Sequence, residues 1–176
     1  MIKRLVWIFV ATAMLVGAQD KQAAANTNTE LTVYLLSGSP QGTTDDVPQD
    51  LVPTVKQLHS IFAYKSYKLN ESFILRGRSG NASTEGILPG SGLHYRFGYR
   101  RIQVSGEAPR AVHIDGLSLN LSKSVVGPDG HQGFENVASI STDLDIREGQ
   151  KTVVGKSSVS STGDALILVI VPKVVE

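Results

Sequence analysis

Ala138 to Val175, ASISTDLDIREGQKTVVGKSSVSSTGDALILVIVPKVV, decides the fold class. Ala138, Ile140, Thr142, Leu144 and Ile146 share one face of an extended chain, and Ser139, Ser141, Asp143, Asp145 and Arg147 share the other. This two-residue period is that of a half-buried strand. Glu148-Gly149-Gln150 is a turn, KTVVGKSSV is a second strand, and Ser160 to Asp164 is a second turn. Ala165 to Val175 is apolar at nearly every position, so the last strand is expected to be covered on both faces or central in its sheet. Three consecutive antiparallel strands are therefore expected to end the chain.

Upstream, the strand pattern runs back to Leu93 with no helical period. In LHYRFGYR, Leu93, Tyr95, Phe97 and Tyr99 alternate with His94, Arg96 and Arg100, and Ile102 and Val104 continue on the opposite parity. A bulge near Arg100-Arg101 would reconcile the halves. Val112 and Ile114 change parity to Leu117, Leu119 and Leu121 across Asp115-Gly116, which fits either a tight hairpin or a glycine bulge inside one long strand, and the short run before it favours the bulge. Residues 93–176 are thus read as an all-β domain.

The stretch before it reads differently. Leu31, Val33 and Leu35 form a strand, and Leu51, Val55, Leu58 and Phe62 recur at helical spacing, with Asp50 as N-cap and Pro53 in the first turn. YKSYKL and SFILRG are β-rich runs predicted to form a hairpin at Asn70-Glu71. Residues 31–77 are read as a β-α-β-β unit, and the Gly- and Ser-rich segment 78–92 as a linker or long loop. The fold class is α+β, predominantly β, with this unit followed by an antiparallel sandwich or small barrel.

The N-terminal segment supplies an address. Lys3 and Arg4, the apolar run Leu5 to Leu15 and the small residues Val16-Gly17-Ala18 have the form of a secretory signal peptide over residues 1–18. The run is too short to span a bilayer, and no Cys stands at the cut to carry a lipid. Residues 19–30, QDKQAAANTNTE, carry no large apolar side chain and read as a flexible leader. The chain has no cysteine, which removes disulfides, zinc–thiolate sites and cysteine nucleophiles together, and at this size points to a bacterial envelope protein. Of 17 Lys and Arg, Lys3 and Arg4 fall in the signal segment, and the rest face 16 Asp and Glu, so nothing in the charge supports nucleic-acid binding.

Asp145 to Lys156, DIREGQKTVVGK, followed by ALILVIVPKVV, resembles the C-terminal part of bacterial secretins, the outer-membrane channels of secretion and type IV pilus systems. Glu148, Gly149, Gln150, Val153, Val154, Gly155 and Pro172 carry the likeness. TVYLLSG and the helix around Leu58 are similar to the small periplasmic N-domains of that family. Secretins are several times longer, so the resemblance implies a small protein built from secretin-like parts, an accessory to such a machine, and not a channel.

Catalytic patterns are missing. His59, His94, His113 and His131 show no metal-ligand spacing, and no serine stands in a nucleophile elbow. Asp143, Asp145 and Glu148 read as a solvated strand face, VVGPDGHQG at 125–133 as a turn, and Tyr95, Phe97 and Tyr99 as core. The sequence thus predicts an exported, non-catalytic protein, periplasmic or outer-membrane associated. Its role would be structural or binding, without metal or cofactor, with envelope proteins or its own copies as partners through edge strands. The alternatives are a carbohydrate or small-ligand binding module, which requires an aromatic cleft, and a hydrolase of unrecognised type.

Overall fold

The computed structural model describes residues 27–159 and 163–175; the signal segment, most of the leader and part of the last turn lie outside them. Nine strands and one helix follow in order: β1 (Asn28–Ser39), α1 (Val52–Ile61), β2 (Ser66–Gly77), β3 (Ala82–Ile87), β4 (His94–Tyr99), β5 (Arg101–Ser105), β6 (Ala111–Val126), β7 (Gln132–Arg147), β8 (Thr152–Ser158) and β9 (Ala165–Val175). They build two antiparallel sheets stacked as a sandwich, not a closed barrel. Sheet A has the order β2-β1-β9-β8; in sheet B, β3 pairs with β4, β4 and β5 both pair along one edge of β6, and β7 pairs along the other.

The sandwich is closed by the two ends of the described chain. β1 pairs with β9 from Asn28↔Val175 to Gly38↔Ala165. This corrects the expected division at 78–92: the strand of the first part is completed by the last strand of the second. The segment 78–92 is also more than a loop, since Ala82–Ile87 pairs with β4 and Leu88 is buried. The leader is shorter than expected, with Asn28, Thr29 and Glu30 already in β1.

Alternation on β1 and β9 supplies two cores. Leu31, Val33 and Leu35 with Leu166, Leu168 and Ile170 face sheet B, where they meet Phe97, Ile114, Leu117 and Leu119. Leu36, Ile167 and Val169 face the other way and pack under Leu51, Val55 and Leu58 of the helical segment. Both faces of β9 are therefore covered, as its unbroken apolar run requires.

Departures from simple alternation in β2, β6 and β7 shape the sheets. The expected hairpin at Asn70-Glu71 is instead one strand, β2, with Asn70 as an extra residue: Leu35 opposes Glu71 and Leu36 opposes Leu69. The extra residue turns Tyr67 and Leu69 to the helix and Phe73 and Leu75 to the sandwich interior, although all four have the same parity. In β6, the predicted bulge is present at Asp115-Gly116, with Gly116 at φ 61°. In β7, Val137 is extra, because Leu121 opposes Ala138 and Ser122 opposes Asn136.

The helix is held by Lys151, just before β8, and Lys156 within it, and not by the expected cap. Leu51 stands at the N-cap with no side-chain hydrogen bond, and a 3-10 turn, Gln49–Leu51, precedes it. Asp50 instead accepts hydrogen bonds from Lys151 Nζ at 3.0 Å and from Tyr34 Oη at 3.2 Å. At the other end, Lys156 Nζ donates to Tyr64 Oη at 3.2 Å and sits 5.5 Å from the centroids of Phe62 and Tyr64. The start of β2 is covered by Asp46, whose N–H donates to Tyr67 O and whose carbonyl accepts from Leu69 N–H.

Ile167, fully buried between Leu36 and the helix, tests the central placement of β9. Ile167→Asp buries an unpaired carboxylate, and soluble folded protein is expected to be lost. Expression yield and a circular-dichroism melt check this; an unchanged melt contradicts the placement.

Candidate binding face

Helix α1 covers the outer face of sheet A, and among the described residues no helix covers the outer face of sheet B. That second face has two ends of different chemistry. Beyond β4, the strands β6 and β7 continue as a two-stranded ribbon paired only with each other, from Lys123↔Glu135 to Val126↔Gln132. No residue from Ser122 to Val137 is buried. Val126 and Phe134 are 68% and 67% exposed, and a two-stranded ribbon with exposed apolar side chains is marginal in water by itself.

At the base of this ribbon lies a groove of about 580 Å³. β3 contributes Glu85 and Ile87, β4 contributes His94 and Arg96, β6 contributes Asn120 and Ser122, and β7 contributes Phe134. Phe134 stands edge-on to His94, with ring centroids 5.0 Å apart and planes at 76°. Arg96 donates from Nε and Nη2 to Glu85 Oε2, at 3.2 and 3.0 Å. Tyr95, Phe97 and Tyr99 point inward, as their parity predicts; Tyr95 packs beneath Gly86, where a Cβ would approach its ring within 2.8 Å. Burial pushes the Tyr95 and Tyr99 phenols up, with the Glu71 charge adding to the shift at Tyr95.

The far end of the face is ionic. His113 Nδ1 lies 2.6 Å from Asp145 Oδ1 and Nε2 lies 2.8 Å from Asp115 Oδ1, while Arg101 Nε donates to Asp115 Oδ2 at 2.9 Å. Acceptors on both nitrogens favour the imidazolium, so the hydrogen bonds to Asp145 and then Asp115 raise the His113 pKa. For Asp115, burial pushes the carboxyl up, but the hydrogen bonds and charges of Arg101 and His113 outweigh it and hold it below the usual range. Asp143 accepts from the Gly116 N–H and so braces the bulge. Of the acidic face read at Asp143, Asp145 and Glu148, only Asp145 joins this ion-pair network across β5, β6 and β7, Asp143 braces the bulge and Glu148 stands apart beside Val174; none of them lines the groove. Among the described residues no group of three His, Asp or Glu is arranged to hold a metal ion, and no helix is long and apolar enough to cross a membrane.

Of the positions on which the expected secretin resemblance rests, Glu148, Gly149 and Pro172 meet at one corner of the sandwich, away from the groove, and Val153, Val154 and Gly155 lie in β8. Glu148-Gly149-Gln150 turns the chain as expected, but carries it from sheet B to sheet A, so β7 and β8 are not the paired antiparallel neighbours expected. Gly149, at φ 76°, donates its N–H to Pro172 O at 2.7 Å. Pro172 turns its carbonyl, and hence its missing N–H, toward this turn and away from β1. Glu148 N–H donates to Arg110 O at 2.8 Å, and Glu148 Oε1 accepts from Val174 N–H at 3.0 Å. Val154 is the extra residue of a bulge, so Val153 packs toward the helix and Val154 toward the interior, and a Cβ on Gly155 would meet Ile140 at 3.3 Å. Gln150 closes the turn by donating its N–H to Arg147 O.

Sequence reasoning missed Phe134, Ile87 and Asn120. The alternation of Ala138 and Ile140 assigns Phe134 to the inner face, and only the Val137 bulge reverses it. Comparison of the chain with known families, curated proteins and solved structures finds no match.

Glu148→Ala leaves the Val174 N–H without its acceptor and is expected to cost about 1–3 kcal/mol in denaturant unfolding, with Glu148→Gln closer to the parent chain. A histidine with a raised folded pKa stabilises fully below its unfolded value near 6.5 and loses that contribution as pH rises through the folded value. The stability deficit of His113→Gln is therefore expected to be largest between about pH 5 and 6 and to shrink as the pH rises through the raised folded value; a constant deficit contradicts the ion-pair assignment.

Proposed function

We propose that this chain is an exported, non-catalytic protein of the bacterial cell envelope that works by binding, through the bare outer face of sheet B. The observation that carries the reading is the β6–β7 ribbon, which extends past β4 with Val126 and Phe134 exposed, Phe134 sharing its groove with Ile87. Its export rests on the pattern of residues 1–18. An accessory role beside a secretion or pilus machine rests on the secretin-like positions Glu148 to Gly155 and Pro172, and on the likeness of the β1–α1 region to secretin N-domains. Those positions lie at the corner between the sheets and in β8, and none of them lines the groove, so the resemblance bears on the scaffold. Carbohydrate or small-ligand binding is the second reading, favoured by the groove between Ile87 and Phe134.

A photoreactive residue placed at position 134 and, in a separate chain, at Lys56 on the exposed side of the helix tests the face. In native envelopes, position 134 is expected to give covalent adducts, to protein or glycan, that position 56 does not. Adducts at 56 alone would move the working surface to the helix and overturn the reading.

A further inference from the structure

We infer that the groove at the base of the ribbon is a saccharide site, taking a neutral pyranose ring against Phe134 and reading its hydroxyls with His94, Asn120 and Ser122. The inference rests on the binding reading above and supplies its ligand class.

Charge narrows the ligand first. Glu85 and Arg96 neutralise each other at 3.0 Å, and the lining holds no other carboxylate, Lys or Arg. A phosphate or carboxylate ligand would meet Glu85, and a cation would meet Arg96. The groove therefore selects a ligand without formal charge.

Hydrogen bonding narrows it further. Among the described residues the side chains of His94, Asn120 and Ser122 have no hydrogen-bond partner, in contrast to the paired Glu85 and Arg96. Imidazole, amide and hydroxyl can each both donate and accept. Their natural complement is a group that also does both, and sugar hydroxyls do so around the rim of a ring.

The apolar parts match the same ligand. Phe134 and Ile87, 67% and 57% exposed, flank the polar floor. A pyranose ring has an axial C–H face that packs on an aromatic ring while its equatorial hydroxyls point sideways. The aim of Phe134 is built into the backbone: without the Val137 bulge it would share the inward parity of Ala138 and Ile140, and bulges that re-aim a side chain cluster next to binding sites. Edge contact with His94 then fixes the ring.

An extended peptide fits less well. The floor is the flat face of β3, β4 and β6, and the free ladder edges, the outer edge of β3 and the β6 edge beyond Ser122, lie at its borders, so strand addition would not use the floor itself. Recognition must come from side chains, and the volume of about 580 Å³ lies within the roughly 300–1,000 Å³ of small-ligand sites.

Titration of the exported chain with cellotetraose, maltotetraose and chitotetraose, followed by amide NMR, tests the inference. At least one is expected to give saturable shifts at Gly86, His94, Asn120 and Phe134, with a Kd of about 1 mM or tighter. Phe134→Ala is expected to weaken binding by about tenfold or more. Its amide dispersion and melting temperature should match the parent, because Phe134 is exposed, and Asn120→Ala is a second variant that leaves the aromatic wall in place. No saturable shift from any of the three sugars, or binding that survives Phe134→Ala unchanged, overturns the saccharide site. Protein adducts at position 134 without sugar binding would keep the binding face and discard the saccharide; the absence of both would remove both.

Discussion

Everything else in this fold depends on the antiparallel pairing of β1 with β9. Eleven residue pairs join strands from opposite ends of the described chain, and through them sheet A acquires its centre. Closing so long a loop is entropically costly and slow, and it is offset only when the paired strands bury side chains on both faces. They do: β1 sends Leu31, Val33 and Leu35 inward and Leu36 outward, and the continuous apolar run of β9 matches both sets. Without that pairing neither core has a floor.

The asymmetry of the molecule follows from the second core. Because β9 is apolar on both faces, something must cover the outer side of sheet A, and the helix does so, clipped by Lys151 at one end and Lys156 at the other. Sheet B carries the opposite pattern, with His113, Asp115, Asp145, Arg96 and Asn120 on its outer side, and needs no cover. The chain thereby leaves one broad face to solvent, ionic at one end and aromatic at the other. On the uncovered face Ile87 and Phe134 stand exposed on either side of a groove.

Much of the architecture is legible in the residues, and the failures have a common cause. The strands of the second half, the central β9, the helix and the Gly116 bulge follow from alternation, run length and the parity change at Asp115-Gly116. What alternation cannot express is which strand pairs with which: Glu148-Gly149-Gln150 has the chemistry of a hairpin turn, yet it serves as a bridge between sheets because Glu148 and Gly149 find partners on Arg110, Pro172 and Val174. Segment 78–92 reads as a linker because β3 is an edge strand, half wet and poor in large side chains. Asn70 and Val137 hide their bulges because neither is glycine and the parity around each looks regular. The candidate site is the least legible part, since its aromatic wall depends on the Val137 bulge alone, while its polar floor is divided between His94 on β4 and Asn120 and Ser122 on β6, far apart in the sequence.

The register of β1 against β9 is open to direct measurement, because the chain has no cysteine to interfere. Thr32 and Val171 oppose each other, and Thr32 and Lys173 are offset by two residues. Oxidation of the folded chain carrying Thr32→Cys and Val171→Cys is expected to form an intramolecular disulfide readily, and the Thr32→Cys, Lys173→Cys chain to form it poorly. Equal crosslinking of the two, or none with the opposed pair in a folded chain, would contradict a single sandwich closed by its first and last strands.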